Sequence, residues 1–354
     1  MIIEELDKVA SNIDELLRND DFPRAIEPKF LREAVESYPF RGGKRLRPAL
    51  VLWCCGVLGG GEGQALYPAA ACEVFHNWTL VHDDVIDRDD FRRDVPTCHK
   101  QLEAVGRKEF GLADADAARF GNDFAMLAGD LQQGWANALM LHSCGLSREL
   151  TIALGRRLQE FTNRYLVSGE ALDVAMSYRD PSKILPADVE KMFELKTGVL
   201  FQFCAETGAM IALDDPERRH PLTRALGEMA CAAAVAFQMR DDYLGIFGDP
   251  VKFGKPIGSD LTDRKATILL VHSLAALSPR SKAKLVALLG KPSYTEGELE
   301  EVRALYKKSG AVAKLEARAA ELSDFAREQL SQLPDNYYRN LLNQLLDYLL
   351  SREV

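Results

Sequence analysis

The sequence predicts an all-α protein, and three observations predict it. Apolar residues recur at spacings of three and four along most of the chain. Strand-like alternation bounded by hairpin turns is scarce, and Gly and Pro collect in short clusters between the periodic stretches. The first helix is read from IIEELDKVASNIDELL. It is followed by the punctuated segment PFRGGKRLRP at 39 to 48, an apolar run and VLGGGEG at 57 to 63. SRELTIALGRRLQEFTNRYLVSGEALDVAM keeps helical periodicity from Ser147 to Met176. DPSKILP at 180 to 186, DDPERRHP at 214 to 221, GDPVKFGKPIG at 248 to 258 and GKPSYTEG at 290 to 297 separate the later helices, and a further periodic stretch runs near Glu300 to Leu330. This amounts to on the order of ten to fourteen helices. No linker is long enough to divide the chain, so residues 1–354 read as one all-α domain. Helical solenoids are disfavoured, because no fixed period repeats.

Forty-four Lys plus Arg against fifty-three Asp plus Glu leave a net charge of -9, which excludes broad attraction to nucleic acid or to anionic membranes. Seven Cys, with no CxxC pair, lie mostly in apolar runs such as VLWCCGV and FQFC and read as reduced thiols of a cytoplasmic protein. The N-terminus has acids within its first apolar turn and so does not read as a secretory signal. The longest weakly polar runs, Ala49 to Gly60 and Met229 to Met239, fall short of the roughly 20 residues of a transmembrane helix. A soluble chain without a transmembrane segment is expected.

Two apolar helical runs end in paired aspartates, LVHDDVIDRDD at 80 to 90 and FQMRDDYLGIFGD at 237 to 249. In the first, Asp83 and Asp87 are four apart and share a helix face, with Asp84 beside them. Like charges at that spacing repel, and the helix macrodipole disfavours acids at a C-terminus. A hard divalent cation offsets both, since Mg²⁺ is commonly held by one or two carboxylates plus substrate phosphate oxygens. Taken alone, either pair is equally a solvated acidic helix end. Together, with Asp241 opening the second, they suggest carboxylates arranged about one polyphosphate.

Cations stand where such a substrate needs them. Gly42-Gly43 precede Lys44 and Arg47, three apart at an expected helix start, where backbone amides also favour an anion. Arg92 and Arg93 follow the first aspartate motif, and Lys196-Thr197, Lys255 and Lys265 follow in later segments. Arg grips phosphate through a planar fork and Lys through a compact charge. His76 lies two helical turns before Asp83, on nearly the same face, and reads either as a core histidine or as a phosphate donor. Motifs of nucleophilic hydrolases, zinc proteases, P-loops and dinucleotide folds are absent from the sequence.

FRGGKRLRP, EVFHNWTLVHDDVID, RR-x-x-PT at 92 to 97, LAGD at 127 to 130, GEALD at 169 to 173, LKTG at 195 to 198, FQMRDDYLGIFGD, GKPIGSDL at 254 to 261 and Lys265 together resemble the trans-isoprenyl diphosphate synthases. The matches run in family order from about residue 39 to residue 268. The resemblance implies the isoprenoid synthase fold, a single-domain helical bundle around a central cavity, in a homodimer. The implied reaction joins isopentenyl diphosphate to an allylic diphosphate, with about three Mg²⁺ per active site. Asp83 and Asp87, beside Asp84, and Asp241 from across the cavity would hold Mg²⁺ on the allylic diphosphate. Arg92, Lys196, Thr197, Gln238 and Lys255 would bind that diphosphate, with Lys265 nearby. Lys44, Arg47, His76 and Arg93 would bind isopentenyl diphosphate.

The chemistry agrees with this assignment. Allylic ionisation needs neutralised leaving oxygens and a dry pocket rather than a protein nucleophile. Product length in the family is limited by side chains upstream of the first aspartate motif, here Phe75, Trp78 and Thr79. A large Trp78 ring implies a fifteen- or twenty-carbon product, although an ideal helical wheel sets Thr79 closer to Asp83. Three features depart from the family pattern: Gly245 replaces a third Asp, Glu170 replaces Gln, and Asp94 replaces Gly after the Arg pair. The segment from Lys100 to Phe124 is also longer than in compact members. A class I terpene cyclase would have no use for the second diphosphate site, and a regulatory subunit would be expected to lose aspartates or lysines. A longer-chain polyprenyl synthase is the remaining alternative.

Overall fold

The computed structural model describes residues 2–142, 145–249 and 257–350. The helices in chain order are α1 (Ile2–Asn19), α2 (Lys29–Ser37), α3 (Leu46–Val57), α4 (Glu62–Asp87), α5 (Cys98–Phe110), α6 (Asp114–Leu141), α7 (Arg148–Arg157), α8 (Arg164–Ser177), α9 (Pro186–Phe193), α10 (Val199–Leu213) and α11 (Pro221–Phe247). Beyond them, helices run over Ser259–Thr262, Ile268–Ala276, Pro279–Ala287, Glu296–Ser309, Ala311–Ser331 and Tyr337–Leu350. The expected all-α class is borne out. No helix among the described residues is long and apolar enough to cross a membrane. The described cysteines form no disulfide, and Cys54, Cys55, Cys72, Cys98 and Cys204 are buried.

The chain divides into two compact units. One comprises Met1–Gly155 and Thr207–Arg219, the other Arg156–Glu206 and His220–Val354. In the first, α3 is buried all round from Pro48 to Val57, as an apolar helix without a polar face must be. It packs on α1 and α4, while α4 also packs on α6. Ala65, Ala69, Ala70 and Ala71 of α4 are wholly buried, and their small size allows neighbouring helices to approach closely. In the second unit α11 packs against Ala311–Ser331 and Tyr337–Leu350. Its core includes Ile268, Leu269, Leu270, Val271 and Leu274, from a second helix without a polar stripe.

The segment from Lys100 to Phe124 is a helical hairpin. α5 ends at Gly111 in the left-handed conformation (φ 65°), and α6 starts at Asp114. Phe110, Phe120 and Phe124 gather around Phe30 of α2, with ring centroids 6.0, 5.7 and 5.0 Å from it. The α5–α6 hairpin thus closes a local aromatic cluster. Phe30→Ala is expected to lower stability by on the order of 2 kcal/mol, read as a lower denaturation midpoint with earlier proteolysis in the α5–α6 hairpin.

Candidate active site

In the first unit the aspartates lie on the last turn of α4, which ends at Asp87. Arg88 closes the helix in the left-handed conformation (φ 61°), and the Asp89 amide donates to the Asp84 carbonyl at 3.0 Å, a C-terminal cap that fixes this turn. His76, Thr79, Asp83 and Asp87 are half-buried, whereas Asp84 is fully buried. The helix therefore divides its aspartates by face.

Asp84 faces inward and is saturated. Arg92 Nε donates to its two oxygens at 2.8 and 3.1 Å, and Nη2 donates at 2.5 Å. The Tyr38 hydroxyl also donates to Asp84 and itself accepts from the Cys98 amide. Burial, reinforced by the Asp84 carboxylate, raises the Tyr38 phenol above its usual range. Burial works against the Arg92 charge, but hydrogen bonding and charge from Asp84 prevail and hold its pKa above the usual guanidinium value. Asp84 is in this way the anchor of Arg92, while Asp83 and Asp87 remain on the other face. Arg92 Nη2 reaches to 3.8 Å from Asp83.

Arg92 belongs to a feature the helical reading did not contain, a two-residue antiparallel hairpin pairing Phe91 with Pro96 and Arg92 with Val95. Its turn residues, Arg93 and Asp94, both have positive φ, 54° and 60°, as a type I′ turn demands. Asp tolerates that conformation better than most side chains do, which accounts for Asp94 where Gly is usual. The turn brings Arg93 Nη1 to the Gly42 carbonyl at 2.6 Å, so the two basic motifs meet.

The loop before α3 is held by Arg45, which the sequence reading passed over. Arg45 is left-handed (φ 46°) and buried. It donates to Glu73 and to Asp14, both at 2.7 Å, and to the Pro39 carbonyl. Lys44 stands exposed just before the helix, and Arg47 lies in its first turn. Burial, then Arg47, Arg92, Arg93 and Arg45, push the His76 imidazole well below its usual pKa. His76 is consequently a neutral imidazole set among guanidiniums.

Phe75 and Trp78 of α4 are buried edge to face with centroids 4.9 Å apart, and the Trp78 ring lies 5.8 Å from that of His82. Thr79 donates its hydroxyl to the His76 carbonyl at 2.8 Å. Thr79 thus shares the half-buried face with Asp83, while Trp78 packs into the interior.

In the second unit Lys196 and Thr197 lie in a π-helical turn, Glu194–Gly198, a widening often found at functional positions. Lys196 Nζ meets Glu170 at 2.7 Å and Asp173 at 2.6 Å, and Lys265 approaches Asp173 at 3.7 Å. Glu170, where Gln is usual, therefore supplies a second carboxylate to Lys196. A Cβ on Gly169 would stand 2.3 Å from the Lys196 amide nitrogen, so α8 can approach the turn this closely only with glycine there. Thr197 donates to Gln238 of α11 at 3.3 Å.

Asp241 and Asp242 are not at a helix end, as their sequence context suggested, because α11 continues to Phe247. Asp242 is buried and accepts from the Ile268 amide at 2.8 Å. Burial, then Asp260, pushes its carboxyl well above the usual range. A Cβ on Gly245 would lie 3.1 Å from Asp260 Oδ2, so Asp260 borders the place where a third aspartate side chain would start. Lys255 falls outside the described residues.

Asp83 and Asp87 suit a hard divalent cation: two carboxylates on one face of a capped turn, their neighbour already neutralised by Arg92. No three His, Cys, Asp or Glu side chains among the described residues converge as a metal-holding group. A Mg²⁺ here would complete its octahedron with water and phosphate oxygens, its usual habit.

A family model described as polyprenyl synthetase matches residues 28–306. A geranylfarnesyl diphosphate synthase of Aeropyrum pernix is 35% identical over 317 residues, covering 88% of this chain and 91% of the relative. A geranylgeranyl pyrophosphate synthetase structure from Pyrococcus horikoshii matches with a TM-score of 0.85 at 29% identity, covering 99% of this chain and 98% of the other. A geranylgeranyl pyrophosphate synthase from Corynebacterium glutamicum, complexed with isoprenyl diphosphate and magnesium, matches with a TM-score of 0.86 at 26% identity, covering 99% of each chain.

Two outcomes test the geometry. Arg45→Met leaves Glu73 buried without its cation and should cost about 3–5 kcal/mol in chemical denaturation. Below about pH 6.5 an unfolded His76 gains a proton that the folded one refuses, so stability falls as pH falls. His76→Gln should therefore lose less stability than wild type between about pH 7.5 and about pH 5.5. Equal losses would contradict the neutral, guanidinium-surrounded imidazole.

Proposed function

The chain belongs to the polyprenyl synthetase family, and on that premise we propose that it condenses isopentenyl diphosphate with an allylic diphosphate to give an all-trans prenyl diphosphate. The observation that carries the reading lies within the first unit. An outward pair, Asp83 and Asp87, is separated by face from the Arg92-bound Asp84, beside a neutral His76 set among Arg45, Arg47, Arg92 and Arg93. A carboxylate pair for a metal-bound diphosphate and a cationic corner for a second diphosphate suit a two-substrate transfer better than the cyclisation of one.

In this reading Asp83, Asp87 and Asp241 hold magnesium, about three ions by family resemblance. When bound, magnesium neutralises the pyrophosphate that leaves as the allylic cation forms. Arg92, Lys196, Thr197, Gln238, Lys255 and Lys265 bind and orient the allylic diphosphate. Lys44, Arg47, His76 and Arg93 hold isopentenyl diphosphate so that its alkene faces the allylic carbon, an entropic contribution to rate. A neutral His76 can donate one ring hydrogen to a phosphate oxygen without adding charge. The departing pyrophosphate takes the proton released as the new alkene forms, so no side chain is assigned as the general base. The carboxylate partners of Lys196 keep its ammonium oriented before substrate arrives.

The names of the relatives point to twenty- and twenty-five-carbon products, the upper end of the expected range and one isoprene unit beyond it. We assign Phe75 and Trp78 as the floor that stops elongation, with the smaller Thr79 on the Asp83 side. Close-packed interiors do not make room for another isoprene unit without cost. A homodimer, a single functional domain spanning both units and a cytoplasmic location complete the reading. Family membership, reduced thiols and the acidic balance support them.

Incubation with Mg²⁺, isopentenyl diphosphate and each allylic diphosphate should give products only when isopentenyl diphosphate is present. A cyclic hydrocarbon from the allylic substrate alone would overturn the reading. Asp83→Ala or Asp241→Ala should lower turnover by about a hundredfold or more with circular dichroism unchanged, and near-normal turnover would remove that residue from the metal role. Trp78→Ala should lengthen the product, and unchanged length would refute the floor.

A further inference from the structure

We propose that Arg41 is an additional ligand of the isopentenyl diphosphate headgroup. This rests on the two-substrate reading above and adds to it a residue outside the GGKRLR run. Arg41 lies in the loop between α2 and α3, with Cζ 4.5 Å above the centroid of the Tyr38 ring. Both of its terminal nitrogens are buried, and neither has a hydrogen-bond partner among the described residues. A guanidinium in that condition carries a desolvation cost that an acceptor would offset.

Three acids near this corner are already engaged. Arg92 and Tyr38 take Asp84, and Arg45 takes Glu73 and Asp14. Like charge accumulates as a result: the positive fields of Arg92, Arg45 and Arg41 all act on Arg93. Arg93 is itself tied to the Gly42 carbonyl, on the residue following Arg41. Stacking on Tyr38 fixes the plane of the Arg41 guanidinium and leaves its N–H edge for an in-plane acceptor. Diphosphate oxygens fit that edge, since a planar fork binds phosphate through parallel charge-assisted bonds. Of the two substrates, isopentenyl diphosphate is the one assigned to the Lys44, Arg47 and Arg93 side of the unit, where Arg41 lies.

The test is binding of isopentenyl diphosphate alone, by isothermal titration calorimetry, to wild type, Arg41→Gln and Arg41→Lys, with melting temperatures alongside. Steady-state KM values for both substrates accompany it. Arg41→Gln should weaken isopentenyl diphosphate binding by about tenfold or more and raise its KM in parallel, while the allylic KM and the melting temperature stay close to wild type. Arg41→Lys, which keeps the charge without the fork, should fall between. Unchanged affinity with a lowered melting temperature would show a brace for Tyr38 and overturn the assignment. A rise confined to the allylic KM would overturn it too. If Arg41→Gln does not fold, wild-type affinity in a folded Arg41→Lys overturns it, and reduced affinity with unchanged melting supports it. Wild type that neither binds nor consumes isopentenyl diphosphate sinks the two-substrate reading itself, whereas normal wild-type binding with an equally tight Arg41→Gln removes Arg41 alone.

Discussion

A helix C-terminus is an unfavourable place for negative charge, yet α4 ends with Asp83, Asp84 and Asp87 in its last five residues. The rest of the site depends on how that is resolved. One carboxylate, Asp84, is buried against Arg92 and Tyr38. That bond holds the hairpin on which Arg92 and Arg93 lie, and the hairpin meets the Gly42 loop ahead of α3. Neutralising one aspartate therefore positions the two hairpin arginines and keeps the remaining pair on the other face, where the proposed reading sets the metal.

A comparable arrangement appears in the second unit, where Lys196 meets the carboxylates of Glu170 and Asp173. The π-helical turn and the missing Cβ of Gly169 bring these groups together. In the proposed reading, a lysine already oriented by carboxylates would lose less side-chain entropy on binding a phosphate. Asp242 plays a structural part beside Asp241: its bond to the Ile268 amide ties α11 to the start of the following apolar helix. In both units one member of an aspartate pair, Asp84 or Asp242, is tied into the architecture, and the proposed reading gives the metal role to its neighbour.

Much of this was legible in the sequence because it is local. Helical periodicity gave the all-α class, and the four-residue spacing of Asp83 and Asp87 set them on one face. What was not legible depends on contacts between distant residues. Nothing in the segment SYPFRGG announces that Tyr38 will donate to an aspartate forty-six residues on. Nor does the GGKRLR run distinguish Arg45, the buried brace, from Arg47 in the helix beside it. The hairpin was missed because two-residue strands are too short for alternation to register. Its only local signal was the turn pair Arg93-Asp94, where a glycine would have been plainer. What the segment from Lys100 to Phe124 packs against shows only when Phe110, Phe120 and Phe124 meet Phe30 in space.

In the proposed reaction the outward carboxylates, Asp83 and Asp87, form an incomplete metal platform that a diphosphate must finish. Titration of the protein with Mn²⁺ by electron paramagnetic resonance, with and without inorganic pyrophosphate, tests it most directly. Two protein carboxylates leave most coordination positions to water or phosphate. The account therefore predicts weak Mn²⁺ binding to the protein alone and binding tighter by about a hundredfold or more with pyrophosphate, beyond its affinity for pyrophosphate in solution. Tight binding of the metal to the protein without pyrophosphate would contradict it.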